Sequence, residues 1–190
     1  MSRFSKFSAY LATSIVASSC QSVLSTEAML SVLMNTESQT WNYVGRDVLG
    51  QLGGLLVMSG LTKHTDKNPQ QFLWMSHAFQ QVSMGLIMLS PSVAPEWFLP
   101  IGAVANVCLN VSFIGYGSIN AMCVQRLSTE KNNVGELYSK FTMQTTLGST
   151  VGLAAGMLLN EHLAHYSGLL FFGLGAVRIY CCNKAVRAVL

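Results

Sequence analysis

The chain has 190 residues, of which 51% are hydrophobic and only 10% are charged, and its mean hydropathy is +0.40. A soluble domain carries about 25% charged residues because its surface faces water, so this composition excludes an ordinary soluble globular protein. The net charge of +3 comes from scattered Lys and Arg without a basic run, which argues against nucleic acid as a partner.

Charged residues divide the chain into uncharged stretches, each of which predicts a helix. The first, residues 7–26, is rich in serine, and it either crosses a membrane or lies along its surface. The later stretches are residues 48–62 (which can extend back to Trp41), 68–95, 97–125, 141–160 and 162–177. A membrane helix needs about 20 apolar residues. The pattern predicts an all-α fold, a polytopic transmembrane bundle of about six helices in one domain over residues 1–190.

The second and last stretches are short for a membrane span. They reach the required length only if Arg46, Asp47 and Arg178 lie at the headgroup level or extend their side chains toward it.

The loop charges predict the orientation of such a bundle. If both termini lie on the inner side, ten basic residues are on that side and only Arg46 is on the other. Basic residues concentrate on the inner side of membrane proteins, so the bias favours an even number of crossings. The ten residues are Arg3, Lys6, Lys63, Lys67, Arg126, Lys131, Lys140, Arg178, Lys184 and Arg187.

The N-terminal stretch resembles the start of an organelle import segment. Its first 26 residues contain Arg3 and Lys6, several serines and no acidic residue. We expect this segment to form the first helix. It favours an organelle membrane, the mitochondrial inner membrane first and a plastid membrane as the alternative.

Glycines recur at helix-packing intervals. Gly148, Gly152 and Gly156 form two consecutive G-x-x-x-G steps, and Gly50 and Gly53 lie close together in the second stretch. Small residues at this spacing let two membrane helices approach closely. They predict either packing within the chain or a face for an oligomer or a partner subunit.

Two pairs of polar residues are candidates for a site within the membrane. Arg46 and Asp47 are costly inside a membrane, where such groups usually pair or line a pathway. The alternative is that Asp47 lies in the first turn of a helix, where the helix dipole favours an acid. Asn106 and Asn110, one turn apart, form either a polar seam for a small solute or hydrogen bonds between helices.

A third polar group precedes residues 141–160. Asn133 is a candidate N-cap, with Glu136 at the third helical position and Lys140 four residues further on. Helix initiation accounts for this pattern, and contact with a ligand or partner is the alternative.

The histidines do not predict a metal site. His162 and His165 have a metal-ligand spacing but no acidic or cysteine cluster to complete a coordination shell, and His77 is typical of an interior histidine. The sequence has no nucleophile with an accompanying base, no H-E-x-x-H and no phosphate loop. We therefore expect no enzymatic activity, no catalytic residue, no cofactor and no bound metal.

Three segments resemble the root UVB-sensitive (RUS) family. The first segment is WNYVGRDVLGQLGGLL, which is similar to a family run D-x-L/I-G-Q-L-G that follows a tryptophan. The second is KNNVGELYSKFTMQ, which is similar to the family pattern N-N-x-x-D-x-x-A-K with a later glutamine. The third is CCNKAVRAVL, which is similar to the closing family pattern N-x-x-A-V-R. Glu136 replaces the usual Asp, and Ser139 the usual Ala. The matching residues are Trp41, Asp47, Gly50, Gln51, Leu52, Gly53, Asn132, Asn133, Lys140, Gln144, Asn183, Ala185, Val186 and Arg187.

The resemblance implies a non-enzymatic protein of an organelle membrane, from a family linked to light signalling, seedling growth, auxin distribution and vitamin B6 homoeostasis. Typical members are longer than this chain. Two hypotheses follow. The first is an accessory or scaffold subunit of a larger organelle membrane complex, with the lipid bilayer and other membrane subunits as partners. The second is a small-solute carrier or binding protein that uses Arg46, Asp47, Asn106 and Asn110.

Overall fold

A computed structural model describes residues 3–34, 39–65, 67–128 and 133–189, and these ranges contain helices joined by short turns and no strand. The helices are α1 (Arg3–Leu33), α2 (Gln39–Thr65), α3 (Pro69–Leu89), α4 (Phe98–Leu127), α5 (Val134–Leu163) and α6 (Ser167–Arg187). Short 3-10 turns occur at Ser90–Ser92, Pro95–Trp97 and Ala164–Tyr166. The predicted all-α class is confirmed for the described part of the chain.

Helix α2 begins two residues before Trp41, the residue to which the sequence allowed its stretch to extend. It starts at Gln39, so Asp47 lies more than two turns inside the helix. The interpretation of Asp47 as a residue of the first turn is therefore wrong. The helix continues past Arg46 and Asp47 because these two charges pair with each other. The residues before them, Trp41, Tyr43 and Val44, continue its apolar surface.

Helix α6 likewise continues through a charge that was expected to end its apolar stretch. Arg178 lies inside α6, and its side chain is 2% exposed. Arg178 is thus enclosed by protein within α6, and its depth relative to a membrane stays a prediction.

The helices belong to two compact units, the first of which comprises Met1–Leu24 and Asn120–Leu190. In this unit α1 runs parallel to α5. Ser8 hydrogen-bonds Gln144 near one end of the pair, Oγ to Oε1 at 2.9 Å, and the Cys20 thiol donates to the Gly152 carbonyl further along, 3.0 Å from Sγ to O. Both residue numbers rise together, so the two helices point the same way.

Helix α6 runs antiparallel to α1 within the same unit. The Gln21 amide Nε2 donates to the Phe171 carbonyl at 3.0 Å, and the Ser14 hydroxyl donates to the Arg178 carbonyl at 3.3 Å. Since α5 is parallel to α1 and α6 is antiparallel to it, the chain reverses direction at the Ala164–Tyr166 turn.

The second unit comprises Ser25–Ile119. Here α2 runs parallel to α4, because Gly45 lies against Leu99 and Gly54 lies against Asn110. Helix α3 runs antiparallel to α4. A small apolar cluster of Met29, Val32 and Phe98, with Leu33 and Ile87 packed against it, closes one end of this unit.

Large apolar side chains face outward and several polar side chains face inward. Leu56, Leu169 and Phe172 are at least 74% exposed, whereas Gln21 and His77 are at most 1% exposed. This is the reverse of a soluble protein, in which burial of apolar surface drives folding. By length and composition, three helical segments are able to cross a membrane: Phe4–Leu33, Phe98–Leu127 and Val134–Arg187, the last of which includes the turn between α5 and α6.

Candidate polar site

The two polar pairs singled out in the sequence form one hydrogen-bonded cluster between α2 and α4. Arg46 and Asp47 are neighbours in α2, and the Arg46 guanidinium bends back to the Asp47 carboxylate. Its Nε and Nη2 donate to Oδ1 at 3.0 and 2.8 Å. Because the guanidinium has a long flexible stem, adjacent residues of one helix can form this ion pair although their Cα–Cβ bonds diverge.

Asn106 of α4 joins the ion pair to the second helix. Its Nδ2 donates to Asp47 Oδ1 at 2.8 Å and lies 3.4 Å from the Arg46 carbonyl oxygen. A carboxylate only accepts hydrogen bonds, so the orientation of the Asn106 amide is fixed by this contact. Asn110, one turn further along α4, donates from Nδ2 to the Asn106 carbonyl at 2.9 Å. We name Arg46, Asp47, Asn106 and Asn110 the α2–α4 polar site.

Glycines make room for the amides of this site. A Cβ at Gly54 would lie 2.7 Å from the Asn110 Cβ, and a Cβ at Gly50 would collide with the Asn106 side chain. Gly53 lies against Val107 in the same way. The glycines of α2 therefore act within the chain, where they let α4 approach closely enough for Asn106 to reach Asp47.

Arg46 is enclosed on its other sides. Its Nη1 contacts the Met29 sulfur, and its guanidinium lies over the Tyr43 ring, 4.9 Å from the centroid. A Cβ at Gly102 would lie 2.7 Å from Arg46 Cδ. The sequence analysis did not single out Gly102, although its spacing of four residues before Asn106 places both on one face of α4.

The two charges of the site differ in accessibility. The Arg46 side chain is 11% exposed and that of Asp47 is 34% exposed. Within the part of the chain that the structure describes, all the donors to Asp47 contact Oδ1. The accessible groups of the site are therefore acceptors, Oδ2 of Asp47 and the amide oxygen of Asn110.

The remaining motif residues lie away from this cluster. Gln51 is exposed on α2. Asn133 precedes α5 as its N-cap residue but makes no side-chain cap, because its Oδ1 accepts from the Ser128 hydroxyl at 3.2 Å. Glu136 and Lys140 form an exposed ion pair of 2.6 Å. Of the other residues named from the sequence, Lys131 and Asn132 lie outside the described residues.

The three α5 glycines pack against α1 in the first unit. A Cβ at Gly152 would lie 2.6 Å from both the Val16 carbonyl oxygen and the Ser19 Cβ, and Gly148 and Gly156 make similar contacts with α1. Their role in the structure is close packing within the chain.

A second polar cluster lies between α3 and α4, and His77 is its one residue that the sequence singled out. His77 is buried, and its Nδ1 contacts the Tyr116 hydroxyl. One turn away, the Ser112 hydroxyl lies 3.4 Å from Gln80 Oε1, and both residues are buried. Ser76, Gln80 and Ser83 recur on the buried face of α3 at helical spacing, which was the available signal.

The histidines of the α5–α6 turn are exposed and are not assembled into a site. His162 and His165 lie on the surface, and the His165 ring contacts Tyr166. Among the described residues, no group of three or more His, Cys, Asp or Glu side chains is close enough to hold a metal ion.

Comparison with known proteins places these features in a family. A family model described as "Vitamin B6 photo-protection and homoeostasis domain" matches residues 1–190. Two similar proteins of Arabidopsis thaliana are protein root UVB sensitive 4, 27% identical over 79% of this chain, and protein root UVB sensitive 3, 24% identical over 88%. The aligned parts cover 30% and 40% of those proteins, so the chain spans well under half of their length.

No solved structure is significantly similar to the chain. The family match covers every residue, from the tryptophan-containing motif of α2 to the closing motif of α6. The chain therefore belongs to the vitamin B6 photo-protection and homoeostasis family, the root UVB-sensitive family that its three sequence motifs indicated.

Proposed function

We propose that this chain is an integral membrane protein that binds a small polar solute at the α2–α4 polar site. The observation that supports the proposal is the cluster itself. An ion pair and two amides lie between α2 and α4, and the outer face of α2 carries Leu49, Leu52 and Leu56. Ionisable groups in such surroundings are costly, so they are usually kept for a functional purpose.

The proposed topology has six crossings with both termini on the inner, positively charged side. Helices α2, α3 and α6 contain 27, 21 and 21 residues, each enough for a crossing of about 20 residues. The contact directions within each unit support this topology, because helices an even number of crossings apart run parallel and those an odd number apart run antiparallel. The burial of Arg178 removes one residue from the charge bias and leaves its sign unchanged.

The packing of the glycines favours solute binding over the scaffold hypothesis. The G-x-x-x-G face of α5 is occupied by α1, and the glycines of α2 are occupied by α4. The faces that suggested a partner subunit are thus used within the chain. The family description supplies the first compounds to test, the vitamin B6 vitamers.

The proposed location is an organelle membrane, first the mitochondrial inner membrane and second a plastid membrane. The proposal depends on the basic and serine-rich start of α1. Expression of the full chain with a C-terminal fluorescent tag, scored against organelle markers, tests it.

Binding is tested with the full chain purified in lipid nanodiscs. Intrinsic tryptophan fluorescence is the readout, since Trp41 lies about one and a half turns from Arg46 on α2, and a variant with Trp74 and Trp97 replaced by Phe assigns the signal to Trp41. We expect saturable quenching by at least one vitamer, and its loss in Asn106→Leu, which removes the link between α2 and α4. Ser59→Ala, an exposed change elsewhere on α2, is the matched control. If no vitamer quenches the fluorescence saturably, the proposal is overturned.

The second candidate function is the accessory subunit of a membrane complex. The exposed apolar exterior, which includes Leu169 and Phe172, favours it, because neighbouring subunits cover such a surface as well as lipid does. Extraction in mild detergent, native-gel sizing and mass spectrometry of co-migrating proteins test it. Stoichiometric migration with a large complex would support the subunit function. Migration as a monomer or a small homo-oligomer would exclude it.

A further inference from the structure

The accessible hydrogen-bonding groups of the α2–α4 polar site are acceptors rather than donors. Arg46 places Nε and Nη2 on the Asp47 carboxylate and Nη1 against the Met29 sulfur. Asn106 and Asn110 direct their amide N–H groups at Asp47 and at the α4 backbone. The donor atoms are thus engaged with partners in the chain.

The groups left open are oxygens. Asp47 Oδ2 receives no hydrogen bond from any described residue, while Oδ1 accepts three. The amide oxygen of Asn110 is open as well, since its Nδ2 makes the contacts of that side chain. An arriving ligand satisfies these oxygens only by donating hydrogen bonds.

Accessibility sets the sign of the charge that a ligand meets. The Asp47 side chain is about three times as exposed as that of Arg46, 34% against 11%. A ligand therefore contacts the carboxylate before the guanidinium. An arriving anion gains little here, because the Arg46 charge is already neutralised by Asp47 and the remaining groups are oxygens that cannot donate a hydrogen bond to it.

We propose that the α2–α4 polar site selects a small solute that bears ammonium or hydroxyl donors and no phosphate. This inference rests on the proposed function and narrows its ligand class. The ammonium or hydroxyl of the solute donates to Asp47 Oδ2 and to the Asn110 amide oxygen. Among vitamin B6 vitamers the rule favours pyridoxamine, which has an aminomethyl group and hydroxyls. It rejects the 5′-phosphate ester, whose phosphate has a charge of about −1.5 to −2.

Pyridoxamine and pyridoxamine 5′-phosphate form a matched pair of probes. Both are titrated by isothermal calorimetry into the full chain in nanodiscs of neutral lipid, so that the lipid headgroups do not bias the comparison. We expect pyridoxamine to bind at least about tenfold more tightly than its phosphate ester, a difference that reflects the accessible carboxylate. Equal binding, or tighter binding of the phosphate ester, would overturn the inference and leave the proposed function in place. If neither compound nor any other vitamer binds, the inference and the proposed function are both overturned.

Two variants place the selectivity at named atoms. Asp47→Asn removes the charge and keeps the size, and we expect at least about tenfold weaker pyridoxamine binding. Asn110→Leu removes an open acceptor and leaves the Arg46–Asp47 pair intact, so it tests the site even if Asp47→Asn fails to fold. Glu161→Gln makes the same charge change on exposed α5 and serves as the control. Unchanged pyridoxamine affinity in Asn110→Leu and in folded Asp47→Asn would overturn the inference.

Discussion

Individual hydrogen bonds inside this protein connect neighbouring helices. Between α3 and α4, buried His77 contacts the Tyr116 hydroxyl, and the Trp74 ring lies with its edge toward His77 at a centroid distance of 6.3 Å. In a lipid environment there is no hydrophobic drive for two helices to associate, so such polar contacts contribute directly to helix pairing.

The Tyr116 hydroxyl is the simplest single group to remove. We expect Tyr116→Phe to lower the free energy of unfolding by about 1 kcal/mol, since the buried His77 Nδ1 loses its hydrogen bond to the hydroxyl. Tyr138→Phe removes a hydroxyl from a side chain that is exposed on α5, and it should change stability by less than about 0.5 kcal/mol. Unfolding in mixed micelles of increasing denaturing detergent measures both. Equal stability of the two variants would show that the His77–Tyr116 contact contributes nothing.

Helix pairing in both units depends on glycines, whose lack of a side chain lets the backbone or the side chains of a neighbouring helix pack closely against them. Gly152 lies against the carbonyl oxygen of Val16, and its own carbonyl oxygen accepts a hydrogen bond from the Cys20 thiol, 3.0 Å from Sγ to O. In α6 the surroundings of Gly173 are different, because nothing lies within 4 Å of a Cβ built at that residue. The same residue type therefore has opposite roles in two helices of one unit.

This difference predicts opposite signs for one substitution. Gly152→Ala should destabilise the protein by about 1–3 kcal/mol, because the new methyl group meets backbone atoms that cannot move aside. Gly173→Ala should stabilise it by about 0.5–1 kcal/mol, because alanine lowers the conformational entropy of the unfolded chain and its methyl group contacts no neighbouring atom in the folded protein. Detergent unfolding of the pair measures the difference. A loss of stability in both variants would contradict the assigned packing of α5 on α1.

The whole molecule is organised by the direction of its helices and by the apolar surface that they share. In the first unit α1 and α5 are parallel and α6 is antiparallel, and in the second α2 and α4 are parallel and α3 is antiparallel. Such alternation is what a chain produces when short turns join successive membrane crossings. In the proposed topology the outward Leu and Phe side chains face lipid.

The proposed topology predicts which residues share a side of the membrane. We expect cysteines introduced at Lys67 and Glu136 to be labelled by an impermeant maleimide from one side, and those introduced at Glu96 and His165 from the other. The five native cysteines are buried and give little background. Sealed vesicles labelled before and after permeabilisation provide the readout. Labelling of the Glu96 and Lys67 positions from the same side would contradict the six-crossing topology.

Composition and patterning alone determined the all-α class and the family, because uncharged stretches of helical length and short motifs are local properties of the chain. They also identified Arg46, Asp47, Asn106 and Asn110 as the polar residues that need an explanation. The sequence left the start of α2 open between Val48 and Trp41, and the structure places it at Gln39. The pairing of Arg46 with Asp47 and Asn106 stabilises charges inside a helix, and that pairing depends on a residue far away in the sequence.

Only the tertiary structure decided which polar residues meet. The sequence left Arg46–Asp47 and Asn106–Asn110 as two separate pairs, and the close approach of α2 and α4 at Gly50 and Gly54 joined them into one site. The partner of His77 and the burial of Arg178 depend in the same way on neighbouring helices. A helix sequence states which residues share a face, but the register and direction of its neighbour decide what that face contacts.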